Sequence, residues 1–110
     1  MIRSADDYER WQNEVRDPAT ANAEPTVRLR HGREEADYTL APIPGGWAWR
    51  AHAYVSNGGG GGTPWTGPVS TKADAREAAL LAIVGILRCN PNDPGSELAN
   101  SIAPDQGELF

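Results

Sequence analysis

The stretch "STKADAREAALLAIVGILRC", residues 70–89, decides the fold. It predicts a long helix that Ser70 or Thr71 can cap, with acidic side chains in its early turns, where the helix dipole favours negative charge. From residue 78 to residue 87 only Gly85 lacks an apolar side chain, so this half of the helix needs cover on more than one side. We expect a sheet on one side and the N-terminal helix or a second subunit on another, with Gly85 marking a close approach to the sheet or to a partner backbone.

Three strand-like segments precede this helix. The segments "TVRLRHG" (26–32) and "DYTLAPI" (37–43) alternate apolar and polar side chains, and "PGG" at 44–46 indicates a turn. The third segment, "WAWRAHAYV" (47–55), should place one set of side chains on each face of a sheet. One face receives Trp47, Trp49, Ala51, Ala53 and Val55, and the other receives Arg50, His52 and Tyr54. These segments predict an antiparallel meander.

The remaining chain completes an α+β prediction: an N-terminal helix, a three-stranded antiparallel sheet backed by one long helix, and a flexible acidic tail. The first helix should lie within residues 1–17 and stop at Asp17-Pro18, before a linker over 18–25. The α+β core should span 26–89, with a mobile Gly-rich loop at 57–63. The acidic tail should span 90–110 and include one short helical turn from Glu97 to Ile102.

The charge distribution bounds the partners. The 110-residue chain carries a net charge of −5, divided as −3 over residues 1–24, +2 over 25–88 and −4 over 89–110. An acidic chain has no overall attraction to phosphate, so nucleic acid is not the expected partner. A single cysteine, Cys89, excludes an internal disulfide and favours a reducing cytoplasm. No segment has the apolar length of a membrane span, and the first residues lack the apolar core of a signal peptide.

Catalytic and metal-binding patterns are not expected. His31 and His52 have no partner at metal-ligand spacing, and the five glycines are not followed by the Gly-Lys-Ser/Thr of a phosphate loop. Cys89, at the end of an apolar helix, is more simply an inert structural thiol than a nucleophile. A metal could use Glu34, Glu35 and Asp37, but a solvated hairpin turn explains these carboxylates more simply. We therefore expect a protein that is not an enzyme and holds no cofactor.

Two binding features lie in the predicted core. Arg28, Arg30 and Arg50, with Tyr54 nearby, could form a basic sheet face that holds single-stranded nucleic acid, unless that face is simply solvated or covered by the first helix. Trp65, in the flexible segment "TPWTG", should either fold back onto the core or act as an anchor for a partner.

A third feature is the segment "QGELF", residues 106–110. The pattern Gln-x-x-Leu-Phe resembles the peptide by which bacterial polymerases and repair proteins dock on the DNA sliding clamp, and Gln106, Leu109 and Phe110 match its anchor positions. The resemblance implies that the Gln amide makes directional hydrogen bonds while the two apolar side chains fill a hydrophobic groove.

The sequence therefore predicts a cytoplasmic protein that acts through contacts with a bacterial protein, and that could form a homodimer through its long helix. In type it is similar to the small accessory proteins of phages and mobile elements. One hypothesis is an inhibitor or adaptor that docks on the sliding clamp through residues 106–110. The alternative is an anti-defence protein, similar to an anti-CRISPR inhibitor, whose carboxylates block a basic nucleic-acid channel. The acids concerned are Asp6, Asp7, Glu9 and Glu14.

Overall fold

A single antiparallel sheet with a long helix across one face confirms the α+β prediction. The computed structural model describes residues 12–55, 60–89 and 96–102. Within these ranges the sheet has five strands rather than the three predicted. The strands are β1 (Val27–His31), β2 (Glu34–Ile43), β3 (Gly46–Val55), β4 (Gly60–Gly62) and β5 (Thr66–Val69). Their order is β1-β2-β3-β4, and β5 also pairs with β3.

The β2–β3 hairpin is the centre of the sheet. Its register is unbroken from Glu34↔Val55 to Ile43↔Gly46, so β2 begins earlier than the alternating pattern indicated. The predicted turn is present, and Gly45 and Gly46 in it have φ values of 89° and 148°, which favour glycine. β1 lies at one edge of the described sheet, where β2 is the strand it pairs with. Their register runs from Val27↔Tyr38 to His31↔Glu34.

The prediction of a mobile loop over residues 57–63 is wrong for its second half. Gly60 to Gly62 form β4, which pairs with β3 over His52↔Gly62 to Tyr54↔Gly60. A Cβ at Gly60 would lie 2.6 Å from the Cβ of Tyr54 and 2.8 Å from the carbonyl oxygen of Ala53. Glycine at this position thus permits β4 to lie close to the backbone of β3. The prediction of a mobile loop considered only the backbone entropy that glycine loses when it becomes ordered. Residues 57–59 lie outside the described ranges.

The long helix, α2 (Lys72–Arg88), begins where the sequence predicted. The Oγ1 atom of Thr71 accepts a hydrogen bond from the Asp74 amide at 3.1 Å and so caps the helix. One face of α2 packs on β2 and β3 and forms the main core. Its buried members are Ala36, Tyr38, Leu40, Ala51, Ala53, Ala75, Ala79, Ile83, Val84, Leu87, Leu98 and Ala99.

The second cover of α2 is a short C-terminal helix, α3 (Glu97–Ile102), which confirms the predicted helical turn. Leu98 and Ala99 of α3 are buried in the main core, so the body does not end at residue 89 as predicted. The prediction that Gly85 marks a close approach to the sheet is also wrong, whereas approach by a partner backbone stays a prediction. Apart from the adjacent backbone of α2 itself, no described heavy atom lies within 4 Å of a Cβ built at Gly85, which is exposed on the outer side of α2.

The N-terminal helix does not cover α2, because it packs on the opposite face of the sheet. A π-helical turn (Gln12–Arg16) continues into α1 (Asp17–Asn22), so the chain does not leave the helix at Asp17-Pro18 and much of the predicted linker is helical. Pro18 lies at the start of α1, at the junction with the π-helical turn. The earlier residues of the predicted helix lie outside the described ranges.

A second, smaller core forms beneath this helical segment. Its buried side chains come from the π-helical turn, α1, β2, β3 and the segment before β5. They are Val15, Ala19, Ala41, Ile43, Ala48 and Trp65. The second core lies at the end of the sheet near the β2–β3 turn. No described element covers the part of the same face near the β1–β2 turn.

Candidate binding surfaces

The uncovered part of the sheet carries two rows of polar side chains, which we call the open face: Arg28, Arg30, Glu35, Asp37, His52 and Tyr54. The strand register sets the rows. Arg28 pairs with Asp37, which pairs with His52, and Arg30 pairs with Glu35, which pairs with Tyr54. In each row a β2 carboxylate lies between a β1 arginine and a β3 side chain.

The open face is therefore of mixed charge, not the basic face that Arg28, Arg30 and Arg50 could have formed. The Nε atom of Arg30 lies 3.5 Å from the Oε1 atom of Glu35, and the Nδ1 atom of His52 lies 3.4 Å from the Oδ1 atom of Asp37. The strands alternate as predicted, but the central strand adds the carboxylates of Glu35 and Asp37 to the face that carries Arg28 and Arg30. Carboxylates in the middle of the face repel phosphates, so this geometry does not favour single-stranded nucleic acid.

Tyr54 shows the electrostatic effect of those acids. Its side chain is 46% exposed at the rim of the open face. Hydrogen bonding with Glu35, and the negative charge of that carboxylate, raise the pKa of Tyr54 above its ordinary value of 10.0. The Arg28 guanidinium acts in the opposite direction, but its effect is smaller. The field at Tyr54 is thus dominated by carboxylate rather than by arginine.

Trp65 and Arg50 lie on the covered part of the same face. Trp65 is only 6% exposed and belongs to the second core, so it folds back onto the domain, which was one of the two predicted outcomes. The guanidinium carbon of Arg50 lies 4.8 Å from the centroid of the Trp65 ring. This cation–π contact holds Arg50 against the protein, away from Arg28 and Arg30. The three arginines therefore do not form the continuous patch that the nucleic-acid hypothesis required.

Glu34 anchors α3 to the sheet. It is 6% exposed, and its Oε1 atom accepts hydrogen bonds from the amides of Glu97 at 3.1 Å and of Leu98 at 3.2 Å. The Ser96 hydroxyl donates to the other carboxylate oxygen and accepts from the Ala99 amide at 3.1 Å. The first three amides of α3 thus have partners, and two of them donate to Glu34, which lies more than sixty positions earlier.

This arrangement corrects the interpretation of the three neighbouring carboxylates. Glu34 is buried against α3, whereas Glu35 and Asp37 lie on the opposite face, so they are not three side chains of one solvated turn. Their alternation along β2 separates Glu34 from the other two. Among the residues that the structure describes, no group of three His, Cys, Asp or Glu side chains is placed to hold a metal ion.

A shallow apolar groove runs along the outer side of α2, next to the end of α3. It has a volume of about 290 Å³ and is lined by Ala73, Arg76, Glu77, Leu80, Leu81 and Ile102. Leu81 is 47% exposed there. The predicted homodimer would use this side of α2, because its other sides are covered by the sheet and by α3. The homodimer itself stays a prediction.

Most of the other predicted binding residues lie outside the described ranges. These are Gln106, Leu109 and Phe110 of the clamp-type pattern and the acids Asp6, Asp7 and Glu9. Glu14 is exposed and lines a concavity of about 480 Å³ with Val15, Pro18, Pro44 and Pro68. Cys89 is exposed, not buried as an inert core thiol would be.

The charge of the described ranges bears on the acidic-surface hypothesis. They contain nine Asp and Glu against eight Lys and Arg, a net charge of −1. Two of these acids have partners within the protein: Glu34 binds α3, and Glu24 pairs with Lys72 at 2.9 Å. The greater part of the net charge of −5 therefore lies outside the described ranges, so mimicry of nucleic acid would depend on those residues.

Comparisons with known proteins find no relative of this chain. Within the described ranges, no helix is long and apolar enough to cross a membrane. Comparison with protein-family models gives no match, and neither does comparison with curated proteins or with solved structures.

Proposed function

We propose that this protein is a protein-binding accessory protein, in which a compact α+β body carries a docking peptide at residues 106–110. The peptide docks by Gln106, Leu109 and Phe110 in a hydrophobic groove of a bacterial partner, with the DNA sliding clamp as the first candidate. The protein would act as an inhibitor or adaptor in a DNA-processing complex, of the kind that phages and mobile elements encode. A reducing cytoplasm, compatible with the single Cys89, is the setting we propose.

The observation that supports this proposal is the anchoring of α3. Glu34 and Ser96 hold the first turn of α3, and Leu98 and Ala99 are buried against α2. The Nη2 atom of Arg88 also donates to the Oδ1 atom of Asn100 at 3.1 Å. Ile102, the last residue that the structure describes, is therefore held at a fixed point, and Gln106 follows four residues later, within about 14 Å of it even in a fully extended chain. A tethered peptide of this kind reaches a groove without rearranging the body.

The charge of the described residues also favours peptide docking over the two alternatives. The mixed-charge open face is unsuited to nucleic acid, and the near-neutral described part supplies no broad acidic surface. Burial of two apolar side chains, by contrast, contributes about 1.5–3 kcal/mol each when burial is complete. Such a contact depends on residues 109 and 110 and is insensitive to salt.

The test is a titration of the full chain with purified bacterial sliding clamp by isothermal calorimetry. The variant Leu109→Ala/Phe110→Ala should weaken binding by about a hundredfold or more, since both apolar contacts are removed. The matched control, Asp105→Ala/Glu108→Ala, removes the neighbouring charges and retains all three anchors. It should bind nearly as the unaltered chain does.

Two results would refute clamp docking. One is no heat of binding between the unaltered chain and the clamp at millimolar concentration. The other is equal binding by the unaltered chain and the Leu109→Ala/Phe110→Ala variant. If replacement of Asp6, Asp7, Glu9 and Glu14 by alanine instead abolishes binding to a basic partner, and salt weakens that binding, the channel-blocking alternative replaces this proposal.

A further inference from the structure

The edge of the sheet at β1 is a surface that the proposed function does not use. Within the described ranges β1 pairs with β2 alone, and its residues are exposed except for the half-buried Leu29. In an antiparallel strand, alternate residues direct their N–H and C=O groups away from the neighbouring strand. β1 has no proline, and its register with β2 has no bulge, so two of the common devices that block edge pairing are missing from this strand.

The two sides of this edge differ in chemistry. On the side of α2, Val27 is 41% exposed next to Leu29, which packs against the main core. On the other side Arg28 and Arg30 are exposed, and Arg33 follows in the β1–β2 turn. Arg28 and Arg33 make no ion pair with any described residue, whereas Arg30 contacts Glu35. A strand added to this edge would therefore meet apolar side chains on one side and guanidinium groups on the other.

We infer that β1 binds an extended segment of a protein partner in which acidic and apolar residues alternate. The main chain of that segment adds a sixth strand to the sheet, its carboxylates face Arg28 and Arg30, and its apolar side chains cover Val27 and Leu29. Main-chain pairing supplies the affinity and the alternation supplies the specificity. This inference is independent of residues 106–110.

Charge decides against the other occupants of the edge. Two copies paired antiparallel about Leu29 would place Arg28 of one opposite Arg30 of the other, and like charges directly opposite are unfavourable. A nucleic acid would lie over the open face and meet Glu35 and Asp37. An added strand instead lies one strand spacing from the arginines and about 10 Å from those carboxylates, so attraction to arginine is the stronger effect.

The experiment is a fluorescence anisotropy titration of the full chain with a labelled peptide, Glu-Val-Glu-Val-Glu. The controls are a Lys-Val-Lys-Val-Lys peptide and a Glu-Val-Glu-Val-Glu peptide N-methylated at alternate residues, which cannot complete main-chain pairing. The variant is Arg28→Glu/Arg30→Glu. We expect it to bind the acidic peptide about tenfold more weakly and to gain binding of the lysine peptide. The gain also shows that the variant is folded.

Several outcomes would overturn the inference. They are an acidic peptide that does not bind saturably, equal binding of the N-methylated peptide, and equal binding by the Arg28→Glu/Arg30→Glu variant. Displacement of the peptide by an oligothymidine would identify the ligand as nucleic acid. Light scattering that shows a dimer, broken by the same variant, would identify a second copy. Nuclear Overhauser contacts between β1 and residues 1–11 or 103–110 of its own chain would show that the edge is filled internally.

Discussion

The two faces of the sheet are built differently, although the same strands supply both. The face beneath α2 carries a continuous core that reaches from β2 through β3 to α3, and Ile83 at its centre has no exposed surface. The opposite face has a small core beneath the first helical segment and then opens into rows of arginine, carboxylate and histidine. The first face therefore holds the fold together, while the second leaves side chains free to interact.

Substitution of one core residue on each face sharpens this comparison most. Ile83→Ala on the α2 face should lower the free energy of unfolding by about 2–5 kcal/mol. The substitution leaves a cavity in the main core that the surrounding side chains do not fill. Val15→Ala, in the smaller core, removes less volume and should cost about 1–2 kcal/mol. Urea unfolding followed by circular dichroism measures both. Equal losses would contradict the difference between the two cores.

The carboxylates of β2 offer a matched pair on opposite faces. Glu34→Gln should destabilise the protein by about 1.5–3 kcal/mol, because an amide cannot accept all the hydrogen bonds that the buried carboxylate accepts from α3. Glu35→Gln, on the open face, should change stability by less than about 0.5 kcal/mol.

Hydrogen exchange of the α3 amides provides the control for this pair. Exchange at Leu98 and Ala99 should accelerate in Glu34→Gln and stay unchanged in Glu35→Gln. Unchanged α3 protection in Glu34→Gln would show that the anchor contributes little.

Packing requires glycine at position 60 but does not require it at position 85. Gly85→Ala should stabilise the protein by about 0.5–1 kcal/mol, because the site is open and alanine favours the helix. Gly60→Ala should destabilise it, because the new Cβ meets Tyr54 and the Ala53 carbonyl. Thermal unfolding measures both changes. A loss of stability in Gly85→Ala would indicate that a partner backbone covers this side of α2.

The smallest expected effect is electrostatic and concerns Tyr54. In the Glu35→Gln variant the pKa of Tyr54 should fall toward its ordinary value of 10.0, because its main hydrogen-bonding and charged partner is lost. Because the folded-state pKa is raised, the contribution of Tyr54 to stability is present below pH 10 and is lost as the pH rises through the folded value. Ultraviolet titration against a Tyr54→Phe reference isolates this tyrosine. An unchanged pKa in Glu35→Gln would contradict the proposed field.

Local pattern predicted much of the fold but little of the candidate surfaces. The alternation in β1 to β3 and the cap at Thr71 depend on neighbours in sequence, so they could be read from it. The anchor between Glu34 and Ser96 joins distant residues, and the only local signal was a serine in front of a short helical pattern. A basic face was one alternative from the sequence because each strand was considered alone. The strand order, with β2 in the centre, is what brings Glu35 and Asp37 between the arginines.

We propose that the folded body carries the docking peptide and that the partner binds the segment beyond Ile102. The most direct test follows the backbone amide signals of isotope-labelled full chain during titration with purified sliding clamp. We predict that the strongest site-specific changes fall on residues 103–110, while the signals of α2, α3 and the β2–β3 hairpin keep their positions. Changes centred on the open face, or no change at a saturating clamp concentration, would contradict the account.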